Sequence, residues 1–205
     1  MDNQQIKDYY RHIENYDWTY AADNFIGPET LLHRWRAQAT LRLIGKFGKG
    51  NYLDMGCGTG LILRRLPENS TGIDLNPRNL SKAKSYAPGA RLIQGDIEAP
   101  LPFSDHAFHT VICTEVLEHL LYPEKTLSEI KRLLSPGGCL IGSVPSTSLI
   151  WRLRALSFSK KHFQGEPYHR HRTRNEVAEL LHPCFREVAI FSRCCGMNWF
   201  FIAAN

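Results

Sequence analysis

Short apolar runs alternate with helix-period stretches along most of this 205-residue chain. The runs at 52–55, 71–74, 91–94, 110–113 and 139–143 predict strands, and the stretches at 61–66, 77–84 and 124–134 predict helices between them. Apolar strands that alternate with helices indicate a parallel sheet covered on both faces. The punctuation agrees. Asn76-Pro77 supplies an N-cap followed by proline in the first helical position. Ser135-Pro136-Gly137-Gly138 stops the helix whose apolar face is Leu127, Ile130, Leu133 and Leu134, and turns the chain into the next strand. Thr173-Arg174-Asn175-Glu176 reads as a capping box before Val177, Leu180 and Leu181. Two late runs, 188–191 and 199–203, predict a final hairpin. The expected fold is therefore α/β: a seven-stranded, mostly parallel sheet with helices on both faces and an antiparallel last strand.

Two regions stand outside this alternation. Residues 1–35 are rich in aromatics (Tyr9, Tyr10, Tyr16, Trp18, Tyr20, Phe25, Trp35), and residues 145–172 form a long connection of the kind that often serves as a lid. The length suits a single domain. The reading divides it into an N-terminal aromatic cap (1–35), a core (36–144), a basic insertion (145–172) and a last helix with its hairpin (173–205).

Composition changes this picture little: 43% hydrophobic and 22% charged residues are ordinary for a globular protein. No basic-flanked apolar leader is visible, and no apolar run nears the roughly 18–20 residues that span a bilayer. The expected location is the cytoplasm. The six cysteines contain no C-x-x-C pair, which argues for reduced, mostly buried thiols. The net charge of +5 is concentrated between 150 and 174, where seven cations (Arg152, Arg154, Lys160, Lys161, Arg170, Arg172, Arg174) face one acid, Glu166. With Trp151, Phe158, Phe163 and Tyr168, that segment suits an anionic small molecule first, then an acidic membrane surface or nucleic-acid phosphates.

The candidate chemistry begins at Leu53-Asp54-Met55-Gly56-Cys57-Gly58-Thr59-Gly60, a strand end followed by three alternate glycines. Such a loop brings backbone amides close to a ligand at the carboxyl edge of a parallel sheet. It is not the dinucleotide fingerprint, because the third glycine comes one place early and Leu61 stands where that pattern has glycine. Asp54, Asp74 and Asp96 follow the first three strands and place three carboxylates on one edge. That row repels a pyrophosphate and suits a ligand with a ribose, an amino group and a cationic centre.

The blocks LDMGCGTG (53–60), GIDLN (72–76), GDIEAPLPFSDHAFHTVICTEVLEHL (95–120) and LLSPGGCLIGSVP (133–145) resemble the class I S-adenosylmethionine-dependent methyltransferases, most closely the small-molecule branch with the ubiquinone-biosynthesis O-methyltransferases. The resemblance implies a Rossmann-like core with S-adenosyl-L-methionine as cofactor. It implies that Gly56, Gly58 and Gly60 pass the methionine moiety, and that Asp54 holds loop amides or the ligand's amino group. Asp74 would take the ribose hydroxyls and Leu75 would pack on adenine. Asp96 and the Ile97 amide would bond the adenine edge, and Thr114 would stand beside the donor sulfur. Arg36 would bind the donor carboxylate. Plainer readings stand beside these: Asp54 and Asp96 as caps of loop amides, Arg36 as one of a solvated Arg34–Arg36–Arg42 face, and Thr114 as the start of a helix.

A hydroxyl acceptor benefits from a general base. His119 is the first candidate, with Glu115 expected on the same helical face, and its plainer reading is a histidine bonded to a backbone carbonyl. His169 and His171 are the others, on the insertion. The sequence shows no recognisable divalent-metal site near the fourth strand. It also lacks N/D-P-P-Y/F after that strand, which argues against amino-methylation of nucleic-acid bases. The expected partner is a small or lipid-linked acceptor, and the alternatives are a silent cofactor-binding scaffold that serves a partner or a methyltransferase acting on RNA or protein.

Overall fold

The computed structural model describes residues 2–13, 17–24, 27–148 and 168–205, with Pro28 and Glu29 as backbone only. The expected readings at Tyr16, Phe25, Trp151, Phe158 and Phe163, and at the cations between 152 and 161, lie outside the described residues.

Seven strands form one sheet: β1 Tyr52–Met55, β2 Thr71–Asp74, β3 Arg91–Gln94, β4 Phe108–Thr114, β5 Leu134–Pro145, β6 Glu187–Arg193 and β7 Asn198–Ala204. Their order is β3-β2-β1-β4-β5-β7-β6. The first five strands pair in parallel, and β7 runs antiparallel to both β5 and β6. Six helices surround the sheet among the described residues: α1 Asn3–His12, α2 Trp18–Asn24, α3 Pro28–Phe47, α4 Pro77–Tyr86, α5 Pro123–Leu133 and α6 Arg174–Leu181.

The expected punctuation holds at α4, where the Asn76 side chain accepts from the Arg78 amide and Pro77 opens the helix. It holds at α6, where Thr173 and Glu176 form a reciprocal capping box. Glu176 sits at about 2, held down by the Thr173 amide and then by Arg170. Two expectations fail. The helix expected at 61–66 is a single 3₁₀ turn, Leu63–Arg65, because Pro67 forces Leu66 into extended backbone (ψ 161°) and leaves too few residues for an α-helix. The Ser135-Pro136-Gly137-Gly138 stretch is no separate turn but part of β5. Leu134 pairs with Phe108, Ser135 Oγ donates to the Phe108 carbonyl at 3.0 Å, and a register shift between Phe108 and Thr110 absorbs the irregularity.

Burial on both faces of the central strands explains their apolar runs. Leu53, Met55, Val111, Ile112, Leu140 and Ile141 are fully buried. One face packs α5 and α6 through Leu127, Ile130, Leu133, Val177 and Leu181. The other packs Ile44 of α3 against Ile112 and Ile141. At roughly 1.5–3 kcal/mol per large buried side chain, these two layers are the main favourable contribution to folding. The chain moves outward from β1 through β2 to β3, and then crosses back to β4. The carboxyl ends of β1 and β4 thus flank the point of reversal, where open α/β sheets hold their ligands.

Candidate active site

The site grows from the end of β1. After Met55 the backbone bends through Gly56, Gly58 and Gly60, with φ of 69°, 54° and 88°. At Gly56 a Cβ would lie 2.5 Å from Val116 Cγ2, so a left-handed backbone and a close approach both demand glycine there. Gly58 differs: a Cβ there would meet only Trp18 Cδ1, at 4.0 Å, so its missing side chain keeps open the space between loop and indole. The loop is tied down from β2, where Asp74 accepts from the Gly58 amide at 2.8 Å. It is tied from α2 by Thr19, which donates to the Thr59 carbonyl at 3.0 Å.

A cavity of about 190 Å³ opens in front of this loop and reaches the tip of β4. Arg36, Asp54, Gly56, Gly58 and Thr114 line it, together with His119 and His169. Among the expected cofactor residues, Gly60, Asp74, Leu75, Asp96 and Ile97 are not part of its lining. Asp74 spends its carboxylate on the Gly58 and Asn76 amides and on Asn79 Nδ2, at 2.8, 2.9 and 3.1 Å. Asp96 pairs with Lys7 at 2.6 Å and accepts from the Glu98 amide at 2.9 Å. Helix α1 crosses this edge, held also by Asn76 Nδ2, which donates to the Tyr10 and Ile13 carbonyls at 3.2 and 3.0 Å.

The cavity's charges are unequal. Burial, followed by the neighbouring Asp74 carboxylate, pushes Asp54 up to about 8. Burial also raises Asp74, against its three hydrogen bonds. The Arg36 guanidinium pairs with Glu115, whose carboxylate also accepts from Ser143 Oγ at 2.7 Å and Asn198 Nδ2 at 2.9 Å. Arg36 is thus no part of a solvated face.

Glu115 itself is left-handed, φ 55°, a conformation that costs a non-glycine residue roughly 1–3 kcal/mol. That kink corrects the expectation that Glu115 and His119 share a helical face. Thr114 ends β4, and only a 3₁₀ turn, Leu117–His119, follows. Leu117 is fully buried and locks the turn, which leaves the side chain of His119 facing the cavity.

His119 meets both Tyr10, whose Oη lies 3.1 Å from its Nδ1, and the backbone of Tyr168, to which it hydrogen-bonds as the plainer reading expected. Its ring lies 5.0 Å from that of His169, centroid to centroid. Burial lowers His119 to about 3 and His169 to about 4, so both imidazoles are neutral near pH 7. His171 turns away, its Nδ1 bonded to the Ser146 carbonyl at 2.8 Å.

Sequence reasoning missed Trp18, His33, Glu118, Ser143 and Asn198. Glu118 was visible inside the EVLEH block. Asn198 carried no local signal, because it reaches the site only through the pairing of β7 with the end of β5 at Pro145.

The residues 53–142 match the family of the methyltransferase domain. The core is a class I S-adenosylmethionine-dependent methyltransferase domain. A ubiquinone biosynthesis O-methyltransferase of Vibrio cholerae is 30% identical over 146 residues, 67% of this chain and 59% of that one. The 2-methyl-6-phytyl-1,4-hydroquinone methyltransferase 2 of Oryza sativa is 35% identical over 112 residues, 50% of this chain and 32% of that one. This chain therefore spans less than two thirds of the length of these relatives. Among solved structures, magnesium protoporphyrin IX methyltransferase of Synechocystis, with S-adenosylhomocysteine bound, superposes with a TM-score of 0.71 at 16% identity, over 100% of both chains. Among the described residues no helix is long and apolar enough to cross a membrane.

The cofactor of this family is S-adenosylmethionine, and the cavity suits it on two counts. Gly58 leaves the loop face bare where a side chain would stand. The lining also sets the carboxyl of Asp54 and the guanidinium of Arg36 within one cavity, a donor set for a ligand carrying both an ammonium and a carboxylate.

Proposed function

We propose that this protein transfers a methyl group from S-adenosylmethionine to an oxygen (or a carbon or nitrogen) of a small or lipid-linked acceptor. One observation carries the reading: a single cavity at the β1/β4 reversal joins the glycine loop and Arg36 to the paired imidazoles of His119 and His169. When bound, the cofactor supplies a methyl group already activated on a sulfonium. The chain then has to bind, orient and keep out water, and positioning of this kind is worth up to about 7–11 kcal/mol.

Arg36 and Asp54 hold the two ends of the amino-acid moiety, and Gly56, Gly58 and Gly60 give it a bare backbone to lie against. Asp74, Leu75, Asp96 and Ile97 take the adenosine half along the β2–β3 edge. This requires Lys7 to give up Asp96. Thr114 stands between the donor and the acceptor. His119 and His169, both neutral, offer lone pairs to the acceptor hydroxyl, a contribution of typically 10²–10⁴-fold.

Helix α1 covers the cofactor edge, and the charge of the 145–172 segment suits an anionic acceptor or an acidic membrane surface. The six free thiols suit the cytoplasm. The rice and Vibrio relatives, whose names carry a quinol or a quinone product, support a hydroxylated or lipid-linked acceptor.

The test is incubation with methyl-labelled S-adenosylmethionine and a panel of phenols, hydroquinones and lipid extracts. Label should appear in the acceptor with wild type and fall at least 100-fold with His119→Ala. Binding of the cofactor without turnover on any acceptor would instead leave a silent scaffold.

A further inference from the structure

We propose that His33 positions Arg36 for the donor's carboxylate, as a neutral acceptor that fixes the guanidinium without adding a charge that would compete with the ligand. The inference rests on the reading of Arg36 as the carboxylate ligand and names the side chain that sets its orientation.

His33 and Arg36 stand three positions apart on α3, and so on one face of the helix. His33 is 2% exposed, and its Nδ1 lies 2.5 Å from Arg36 Nη2. A guanidinium has donors only and keeps its charge in a protein. The imidazole must therefore accept at Nδ1, which places its proton on Nε2 and leaves the ring neutral. A hydrogen bond with one charged partner is roughly twice as strong as a neutral one.

The second anchor is on another element. Arg36 Nη1 donates to Glu115, and Ser143 Oγ and Asn198 Nδ2 hold that carboxylate in turn. The two terminal nitrogens are thus fixed from α3 and from the tip of β4, which sets the plane of the guanidinium. Of its five N–H groups, those not so used remain for a carboxylate. Glu115 alone would leave the long Arg36 side chain free to turn about a single contact. A second carboxylate in the place of His33 would hold it as firmly, yet would repel an incoming anion. A neutral imidazole does the first without the second.

The ring of His33 is itself held in place. Trp18 of α2 packs against it edge to face, with centroids 4.7 Å apart and an interplanar angle of 63°. The same indole is what a Cβ on Gly58 would meet. Its neighbour Thr19 donates to the Thr59 carbonyl, so α2 is tied to the glycine loop. Trp18, His33, Arg36 and Gly58 all line the one cavity. The loop thereby fixes the indole, the indole the imidazole, and the imidazole the guanidinium, so that a ligand meets a charge already aimed. Such preorganisation cuts the ordering cost of binding. Because it acts on one group of the ligand, its effect should vanish when that group is missing.

The experiment is calorimetric titration with S-adenosylmethionine and with its decarboxylated analogue, which keeps the nucleoside, the sulfonium and the ammonium. His33→Phe keeps a ring for Trp18 and loses the acceptor, whereas His33→Asn loses the ring and puts an amide oxygen where Nδ1 was. His33→Phe should bind S-adenosylmethionine at least about 10-fold more weakly than wild type and the analogue within about 2-fold, and His33→Asn should recover most of the loss. An equal loss for both ligands, unchanged affinity in His33→Phe, or an asparagine no better than the phenylalanine would overturn the role and leave the cofactor site standing. Should either variant fail to fold, nitrogen NMR of histidine-labelled wild type reads the tautomer. His33 should carry its proton on Nε2, and a proton on Nδ1 would overturn the proposal. Wild type that binds neither ligand would overturn the cofactor reading and this inference together.

Discussion

Asp54→Asn should make this protein more stable, increasingly so as the pH rises. Asp54 is 3% exposed and its carboxyl is pushed from 3.8 to about 8, by burial first and by Asp74 second. Its folded pKa is raised, so between about pH 4 and 8 the folded state holds a proton that the unfolded state has lost. Stability then falls as the pH rises through that window. Each unit is worth 1.36 kcal/mol, and roughly four units give a cost of about 5 kcal/mol above pH 8, an upper bound for a group whose surroundings relax. The asparagine cannot ionise and avoids the cost.

Urea unfolding of both proteins at pH 5, 7 and 9 reads the difference directly. The variant's advantage should grow by about 1.4 kcal/mol per unit up to pH 8 and then level off. The donor's ammonium would reverse the balance by ionising Asp54, so wild type should release close to one proton on binding S-adenosylmethionine at pH 7. That release appears as a binding enthalpy that varies with the buffer. A pH-independent difference, or a variant that loses ground as the pH rises, would show that the fold favours the carboxylate, and the reasoning would be wrong.

The histidine pair works in the opposite direction. His119 and His169 are lowered to about 3 and 4, so stability should fall as the pH drops from about 6.5 toward 4, by up to about 2.7 kcal/mol per unit for the two. The double variant His119→Asn/His169→Asn should show a shallower acid limb in urea titrations. Gly56→Ala should cost about 1–3 kcal/mol, because alanine is strained at φ 69° and its Cβ meets Val116 at 2.5 Å; thermal unfolding measures it. Lys7→Ala releases Asp96 and loosens α1. Amide exchange in α1 should quicken, and stopped-flow binding of S-adenosylmethionine should become faster.

How much of this was legible in the sequence depended on how local the cause was. The first three strands, the Asn76-Pro77 cap and the Thr173–Glu176 box follow from neighbouring residues, and the structure has them where they were expected. The turn at 63–65 was misread because a helical pattern was given more weight than the extended backbone that Pro67 imposes. The glycine loop, Asp54 and Thr114 stand at the ends of β1 and β4, and strand ends in a parallel sheet share one edge, whereas Arg36, on α3, was legible only through the family resemblance. What stayed hidden was set by tertiary pairing. Asn198 meets Glu115 only across β5 and β7, and His169 meets His119 only through the backbone bonds of Tyr168 and Arg170. The commitment of Asp96 to Lys7 was equally invisible, as nothing in the first helix announces where it docks.

Calorimetric titration with S-adenosylmethionine tests the central claim, that the cavity between the glycine loop and β4 holds the methyl donor. Wild type should bind one equivalent, and Arg36→Met, which keeps the stem of the side chain and loses its charge, should bind at least 10-fold more weakly while remaining folded. No saturable heat with wild type, or equal affinity in the two proteins, would contradict it.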